Sequence, residues 1–352
     1  ASHTRGIAGG RNWMLMEHST SQVSWQPVNY SKAAGQLELD SGTHLAHGAD
    51  AICFFQWRQS TAGAEKFHSA LVPHSGTESK IWPELVGLGH KLKSLSFLAG
   101  AQVEKAKIAL LFDQDSLWAL ANNSVPTQLL KYREHALAWY QAFIETGHAV
   151  DVIPSRAPLE GYDIVIAPSL YIVSDELAQR ISQFIADNGL LVGTFFTGIA
   201  DENDHIAADF YPARLGDLFG ARITDWAPLE PGKEISLSNG WTGSLWSERL
   251  LATKANVLAR YADGSPAILE TENTVYVSTL LNSTSLRELA DTITAKRGRK
   301  PTLLFDAGHR AEMRVRVTDD GKRFGVVLNH DLGTVSFSGQ EVEARGLHVS
   351  EL

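Results

Sequence analysis

The sequence has very little cysteine and no long apolar run, and each absence excludes a class of protein. Cys53 is the one cysteine among 352 residues, so neither an intrachain disulfide nor a cysteine-based zinc cluster can form. It lies in the apolar run AICFF, which predicts a buried free thiol and a cytoplasmic location. No stretch approaches the ~18 consecutive apolar residues of a membrane span, and the N-terminus has no signal-peptide core.

Positive charge is also scarce. The net charge is −9, which argues against a protein that neutralises phosphates. The one basic cluster, at 296–300, lacks interleaved aromatic residues and precedes Pro301, so it is interpreted as a solvated connector. Neither nucleic acid nor a membrane is predicted as a partner. No cofactor is implied either, since no G-x-G-x-x-G or P-loop follows the predicted strands.

The chain is long enough for two or three domains, and its first 99 residues have the pattern of parallel strands. Two apolar strands, 13–17 and 50–57, are joined by a helix that stops at Gly48. Continuous apolar strands joined by a helix predict a parallel sheet buried on both faces. A further helix is predicted at 84–99.

Residues 100–300 alternate between strands and helices. Strands are predicted at 107–112, 149–153, 163–168, 190–196 and 275–280, and helices at 127–146, 174–187 and 285–296. This order predicts a doubly wound α/β domain of flavodoxin-like type. The span 200–272, rich in glycine, proline and tryptophan, is interpreted as a loop-heavy insertion.

Residues 301–352 change to a period of two. Polar and apolar residues alternate around an Asp-Asp-Gly turn at 319–321, which is typical of a β-hairpin. A small antiparallel domain, truncated at its end, is therefore predicted.

Polar and aromatic side chains follow both strands of the first region, where active-site groups gather in (β/α)8 barrels. They are Glu17, Trp25, Trp57, Arg58, Glu65 and His68. Aromatic faces pack on the apolar side of a pyranose, while carboxylate, amide and imidazole groups bond its hydroxyls. The set therefore fits a sugar site.

Other interpretations stay open for several of these residues. Glu17 alone fits a surface acid at a strand end, and Arg58 fits a partner for Glu17 or for a neighbouring acid. Glu65 and His68 have the spacing of half a di-iron carboxylate motif, but the second half is not evident and no metal is predicted. His44 and His47 share this spacing and are interpreted as packed or solvated.

The second region raises a different enzyme hypothesis, since flavodoxin-like domains of this order include the glutamine amidotransferases. These enzymes need a nucleophilic cysteine in a strand-to-helix elbow. Residues 100–300 contain no cysteine, so an interaction or assembly domain is predicted instead.

The runs WMLMEHSTSQVSWQPVN, QWRQSTAGAEKFH and DIVIAPSLYIVSDE resemble the family 42 glycoside hydrolases, which are β-galactosidases. This resemblance implies the last two strands of a TIM (β/α)8 barrel in residues 1–99. It further implies an amidotransferase-like α/β trimerisation domain in 100–300 and a small β domain in 301–352.

The resemblance also assigns roles in a hydrolase of carbohydrate metabolism. Glu17 falls on the family's catalytic nucleophile, Trp25 on a tryptophan of the galactose pocket, and Glu65 and His68 on a pair that binds galactose hydroxyls. Trp57 and Arg58 are expected to support the site. The substrate is expected to be a β-galactoside, with a related sugar such as α-L-arabinopyranose left open, and the assembly a homotrimer.

The family's general acid/base is a glutamate in an Asn-Glu pair earlier in the barrel, and this chain contains no Asn-Glu pair. We therefore expect a missing N-terminal half-barrel, supplied in the same polypeptide or as a separate chain. Some members of the family hold a zinc through cysteines in that part of the barrel, and the present sequence does not bear on this zinc. Alone, the 352 residues are expected to be inactive, and the alternative is a non-catalytic oligomerisation module.

Overall fold

The computed structural model describes residues 1–206, 210–301, 310–337 and 339–352. The chain divides into two compact units: Ala1–Lys105 with Thr302–Leu352, and Ala106–Pro301. The first and last of the three predicted segments therefore share one unit. They share a core in which Leu39, Ala46 and Leu98 pack with Val326, Leu328 and Leu347. A short strand at Gln102–Val103 also pairs with the C-terminal sheet.

The N-terminal segment of the first unit contains two parallel strands joined by a helix, as predicted. Its elements are α1 (Ser2–Ile7), β1 (Trp13–Ser19), α2 (Gln36–Ala46), β2 (Ala49–Phe55), α3 (Trp82–Ser94) and β3 (Gln102–Val103).

This parallel pair is covered on one face only. Trp13 lies partly buried, and its Nε1 donates to the carbonyl of His47, 2.9 Å away, just after α2. Met14 and Met16 are 50% and 71% exposed, and Cys53 is exposed as well. The predictions that both faces, and the Cys53 thiol, are buried are thus wrong for this chain. Two strands and a helix cannot close a barrel, so the face that would point into a barrel stays open.

The second unit is a doubly wound α/β fold. Its elements are β4 (Ile108–Leu111), α4 (Gln114–Leu120), α5 (Tyr132–Glu145), β5 (Val150–Ile153), β6 (Ile164–Ala167), α6 (Asp175–Ala186), β7 (Leu190–Thr194), α7 (Gly216–Phe219), β8 (Ala221–Pro228), β9 (Glu234–Ser236), β10 (Thr242–Ser244), β11 (Trp246–Ala252), β12 (Asn256–Arg260), β13 (Pro266–Glu270), β14 (Thr274–Val277), β15 (Leu280–Leu281) and α8 (Ser283–Lys296).

The central sheet has the order β12-β13-β14-β7-β6-β4-β5. Its five parallel strands, β5-β4-β6-β7-β14, follow the flavodoxin order, as predicted. Apolar residues of α5 and α8 pack on one face of the sheet, and those of α6 and α7 pack on the other.

The interpretation of 200–272 as a loop-heavy insertion is wrong. Six strands, β8 to β13, lie there, and β8 and β11 form a long antiparallel pair. Alternating burial along β11, WSERLLA, is the period-two signal that the glycines and prolines nearby obscured.

The C-terminal segment returns to the first unit with β16 (Ala311–Val317), β17 (Arg323–Asn329), β18 (Val335–Phe337), β19 (Gln340–Val342) and β20 (Leu347–Glu351). Strands β16 and β17 form the predicted hairpin, closed by a hydrogen bond from the Thr318 amide to the Lys322 carbonyl. The sheet order is β20-β17-β16-β3. Among the described residues, no helix is long and apolar enough to cross a membrane.

Candidate active site

Glu17 lies in a bulge near the carboxyl end of β1. Leu15 pairs with Ile52 and His18 pairs with Phe54, so β1 has one more residue than β2 across this interval. Such a bulge changes the direction of the side chains on its strand. The Glu17 side chain is exposed, at the strand end where the barrel pattern predicts reactive groups.

Trp25 and His68 meet beside the end of β2. The Trp25 indole stacks on the His68 imidazole at a centroid distance of 5.1 Å, and the Phe55 ring meets the same imidazole edge-on at 4.9 Å. His68 is fully buried in this stack. Its Nδ1 lies 2.8 Å from the Ser69 carbonyl, so Nδ1 carries the proton. Its Nε2 is buried with no hydrogen-bond partner among the described residues.

Two hydrogen bonds join the two loops that carry this stack. The Ser69 amide donates to the Gln22 carbonyl, and the Ser21 amide donates to Ser69 Oγ, both at 2.9 Å. The structure thus brings the loop after β1 and the loop after β2 together, as neighbouring parallel strands require.

The three remaining candidate residues are exposed: Glu65, Trp57 and Arg58. Glu65 is exposed, and its carbonyl accepts from the His68 amide at 3.0 Å. The Trp57 side chain is 73% exposed, and Arg58 is exposed and forms no ion pair with any described residue. The hypothesis that Arg58 pairs with Glu17 or a neighbouring acid therefore finds no support.

The sequence did not predict the polar cluster that His18 of β1 forms with Lys32 and Asp40. His18, adjacent to Glu17, lies 3.5 Å from Lys32 Nζ, which binds Asp40 of α2 at 2.6 Å. Burial, together with the Lys32 charge, lowers the pKa of His18 to about 4. Burial likewise lowers the pKa of His44 to about 4, and the two imidazole rings meet at 5.5 Å. Both rings are neutral near pH 7. The buried lysine of this cluster is separated from its partners in sequence, so periodicity gives no signal for it.

His47 is packed, in line with its prediction as a packed or solvated residue. Its Nε2 lies 3.0 Å from Glu312 of β16, and both side chains are buried. The described residues contain no cluster of three histidine, cysteine or acidic groups that could hold a metal ion.

The elbow position of the second unit is occupied by a serine. Ser169 follows β6 with a φ of 43°, a left-handed conformation that is uncommon outside glycine. Its amide donates to Thr194 Oγ1 at 2.8 Å, and His135 Nε2 lies 3.2 Å from the same oxygen. All three residues are buried, so they offer no accessible nucleophile.

The basic cluster at 296–300 is mostly exposed, in line with its interpretation as a solvated connector, and two of its residues form ion pairs. Lys296 Nζ lies 2.8 Å from Glu270, and Arg299 lies 2.9 Å from Asp163.

Two family models match the chain. The model of the β-galactosidase trimerisation domain matches residues 106–298, and the β-galactosidase model matches residues 1–95. A β-galactosidase of Arthrobacter sp. is 38% identical over 352 residues, which cover 97% of this chain and 50% of that protein. β-Galactosidase BbgII of Bifidobacterium bifidum is 36% identical over 376 residues, covering 100% of this chain and 54% of BbgII.

A solved structure agrees with these matches. The crystal structure of β-galactosidase from Bacillus circulans sp. alkalophilus superposes with a TM-score of 0.92 at 30% identity, over 99% of this chain and 56% of that one. The chain thus spans about half the length of the curated relatives it matches.

Proposed function

The chain belongs to the β-galactosidases of glycoside hydrolase family 42, and we propose that it forms the part of a retaining β-galactosidase that carries the nucleophile. The observation that carries this proposal is the position of Glu17. It is an exposed carboxylate in the bulge of a barrel-type strand, one strand away from the Trp25–His68 stack.

In this mechanism Glu17 attacks the anomeric carbon and forms a covalent galactosyl-enzyme. Retaining glycosidases place a second carboxyl about 5–5.5 Å from the nucleophile, where it protonates the leaving oxygen and then activates water. We assign that carboxyl to barrel strands outside residues 1–352, which reside in the same polypeptide or in a separate one. The 352 residues by themselves are then inactive.

The sugar pocket would use Trp25, Glu65 and His68. The Trp25 indole offers a flat face to the apolar side of the pyranose, and Glu65 has an exposed carboxylate for hydroxyl groups. The His68 Nε2 atom lies beneath Trp25 and has no hydrogen-bond partner in the described part of the chain. A galactose hydroxyl that reached it would satisfy a buried polar atom, and a sugar lacking that hydroxyl would be discriminated against. Trp57 and Arg58 lie at the rim and would support binding.

A trapping experiment tests the nucleophile. The polypeptide that carries residues 1–352, assembled with the rest of its barrel, is incubated with a 2-deoxy-2-fluoro-β-galactoside that has a good leaving group. We expect one sugar adduct, mapped to the peptide that contains Glu17, and none in Glu17→Gln. An adduct on another carboxylate would refute the assignment, and Glu230→Gln, at an exposed acid of the second unit, is the control.

A second function, assembly, is favoured by the match of residues 106–298 to a trimerisation domain. We propose that the chain forms a homotrimer through this unit. Sedimentation equilibrium of the 352-residue chain would give three times the monomer mass, whereas a monomer would contradict this proposal. Trimer formation without activity would support the role of assembly module.

The cellular location stays a prediction. Cys53 is exposed, so a buried thiol does not support the predicted cytoplasmic location. Cell fractionation tests it.

A further inference from the structure

The loop that carries Trp25 contains a buried lysine, Lys32, near its C-terminal end. This loop, defined as residues 20–35, has no helix or strand, and most of its side chains between 25 and 31 are exposed. The Lys32 side chain, in contrast, is only 10% exposed. A lysine is rarely buried to this degree without a partner, because its ammonium loses hydration.

The partners of Lys32 come from two different elements. Its Nζ lies 2.6 Å from Asp40 Oδ2 on α2 and 3.5 Å from His18 Nε2 on β1. His18 is the residue after Glu17. One ammonium therefore links the Trp25 loop, the strand with the nucleophile and the helix behind it.

The chemistry of these groups is consistent with one fixed arrangement. A lysine ammonium has three donors and no acceptor, so His18 must present an unprotonated Nε2 toward it. Burial holds the pKa of His18 at about 4, which keeps this nitrogen unprotonated at neutral pH. Asp40 supplies the negative charge that offsets the buried ammonium.

Further hydrogen bonds bring the base of the loop toward the His68 segment. The Lys32 amide donates to Ser21 Oγ at 3.1 Å, and the Ser21 amide donates to Ser69 Oγ. Within the exposed tip, the side-chain hydrogen bonds of the described residues are local, between Gln26 and Asn29. The position of Trp25 thus depends on its stack with His68 and on the two ends of the loop.

We propose that Lys32 is a positioning residue that fixes the Trp25 loop against the strand carrying Glu17 through its contacts with Asp40 and His18. Lys32 does not touch the sugar. It acts on Trp25 and the end of β1, and its catalytic consequence rests on the function proposed above. A misplacement of about 1 Å in a substrate-positioning group can cost on the order of 100-fold in rate.

The test compares Lys32→Met with Lys32→Arg in the full polypeptide that carries residues 1–352. Methionine keeps the apolar stem and removes the charge, while arginine restores it. Lys80→Met, at an exposed lysine outside the loop, is the matched control. Amide hydrogen exchange is measured for residues 20–35, with α3 as an internal reference, together with kcat and KM on a nitrophenyl β-galactoside.

In Lys32→Met we expect exchange at 20–35 to rise about tenfold or more while α3 is unchanged, since the loop loses a buried anchor. KM should rise about tenfold with a smaller change in kcat, as expected when ground-state binding is weakened. Lys32→Arg should recover most of both effects, and Lys80→Met should match the wild type.

A double-mutant cycle with Trp25→Ala separates positioning from general stability. If Lys32 acts through Trp25, then Lys32→Met should add little to the KM of Trp25→Ala, because coupled sites are non-additive. Fully additive losses, or unchanged exchange at 20–35, would overturn the proposal. If Lys32→Met does not fold, Asp40→Asn should give a smaller rise in exchange at the same residues, and no rise would count against the proposal.

The two proposals fail separately. Absence of galactoside hydrolysis by the wild-type polypeptide would refute the proposed function, while the exchange data alone would still decide whether Lys32 positions the loop.

Discussion

Trp25 covers His68: their ring centroids are 5.1 Å apart, and the planes lie 27° from parallel. Because His68 has no exposed surface, the indole controls access to an imidazole nitrogen that has no partner among the described residues. A side chain that is itself 59% exposed therefore covers a polar group, and its free face is the one that we propose for the sugar.

Trp25→Ala should expose His68 and weaken sugar binding. Diethylpyrocarbonate should then modify His68 in the variant and not in the wild type, as read by peptide mass mapping. We expect KM to rise about tenfold, which corresponds to about 1.4 kcal/mol. Trp118→Ala removes an exposed tryptophan of the other unit and should leave His68 protected. Unchanged labelling in Trp25→Ala would contradict this prediction.

Cys53 should report on the open sheet face. It is exposed beside Met14, with the two sulfur atoms 3.8 Å apart. The 352-residue chain should therefore be alkylated by iodoacetamide at the rate of an ordinary free thiol. If a half-barrel covers this face, a polypeptide that supplies it should protect Cys53 at least about tenfold, since barrel interiors are packed by side chains. Equal alkylation with and without that polypeptide would argue against the half-barrel proposal.

Glu248 should make the second unit less stable as the pH rises. This buried carboxyl accepts from Trp246 Nε1 at 3.1 Å and from the Tyr276 hydroxyl at 2.9 Å, and burial raises its pKa from 4.5 to about 8. The folded state therefore binds more protons than the unfolded state between these values. The stabilisation is full below pH 4.5 and is lost as the pH rises toward 8, at about 1.4 kcal/mol per pH unit.

Glu248→Gln removes this titration while keeping a hydrogen-bonding group of the same shape. In urea unfolding between pH 5 and 8, the free energy of unfolding of Glu248→Gln should exceed that of the wild type, and this difference should grow with pH. Glu230→Gln, at an exposed acid of the same unit, should follow the wild type at every pH. A constant difference between Glu248→Gln and the wild type would show that Glu248 does not titrate in this range.

Arg316 should be among the most sensitive positions of the first unit. Its fully buried guanidinium donates to the carbonyls of Leu45, Leu98 and Ala101 and to the Asp50 carboxylate. Arg316→Met removes a donor from each of these acceptors and leaves the guanidinium's place unfilled by charge, which should cost about 3 kcal/mol.

The matched control is Arg323→Met. Arg323 pairs with Glu104 on the surface, where both side chains are about half exposed. Its loss should cost less than about 1 kcal/mol, because water screens the pair. Calorimetry of both variants checks this pair of expectations, and equal shifts of the unfolding temperature would refute them.

Local hydrophobic periodicity predicted much of the fold. The parallel strands of the flavodoxin-type sheet are short apolar runs interspersed with the helices α5, α6 and α8, and that order leaves few alternatives for parallel strands. It failed at 200–272, where short antiparallel strands lie among glycines and prolines. Their period-two signal is weak over three to eight residues.

The candidate site was predicted only in part. Strand ends and the resemblance to a known family identified Glu17, Trp25, Glu65 and His68. The Trp25–His68 stack, the bulge at Glu17 and the buried Lys32 could not be found in this way. Each depends on atoms that are close in space but separated along the chain.

The sequence by itself determined the strand–helix order, the family and the residue types at the strand ends, because these follow from local periodicity and from motifs. The tertiary structure alone decided that Cys53 is exposed, that His68 is buried and that Arg316 is enclosed. Burial depends on which distant segments pack over a side chain. The local sequence around a residue does not specify those segments.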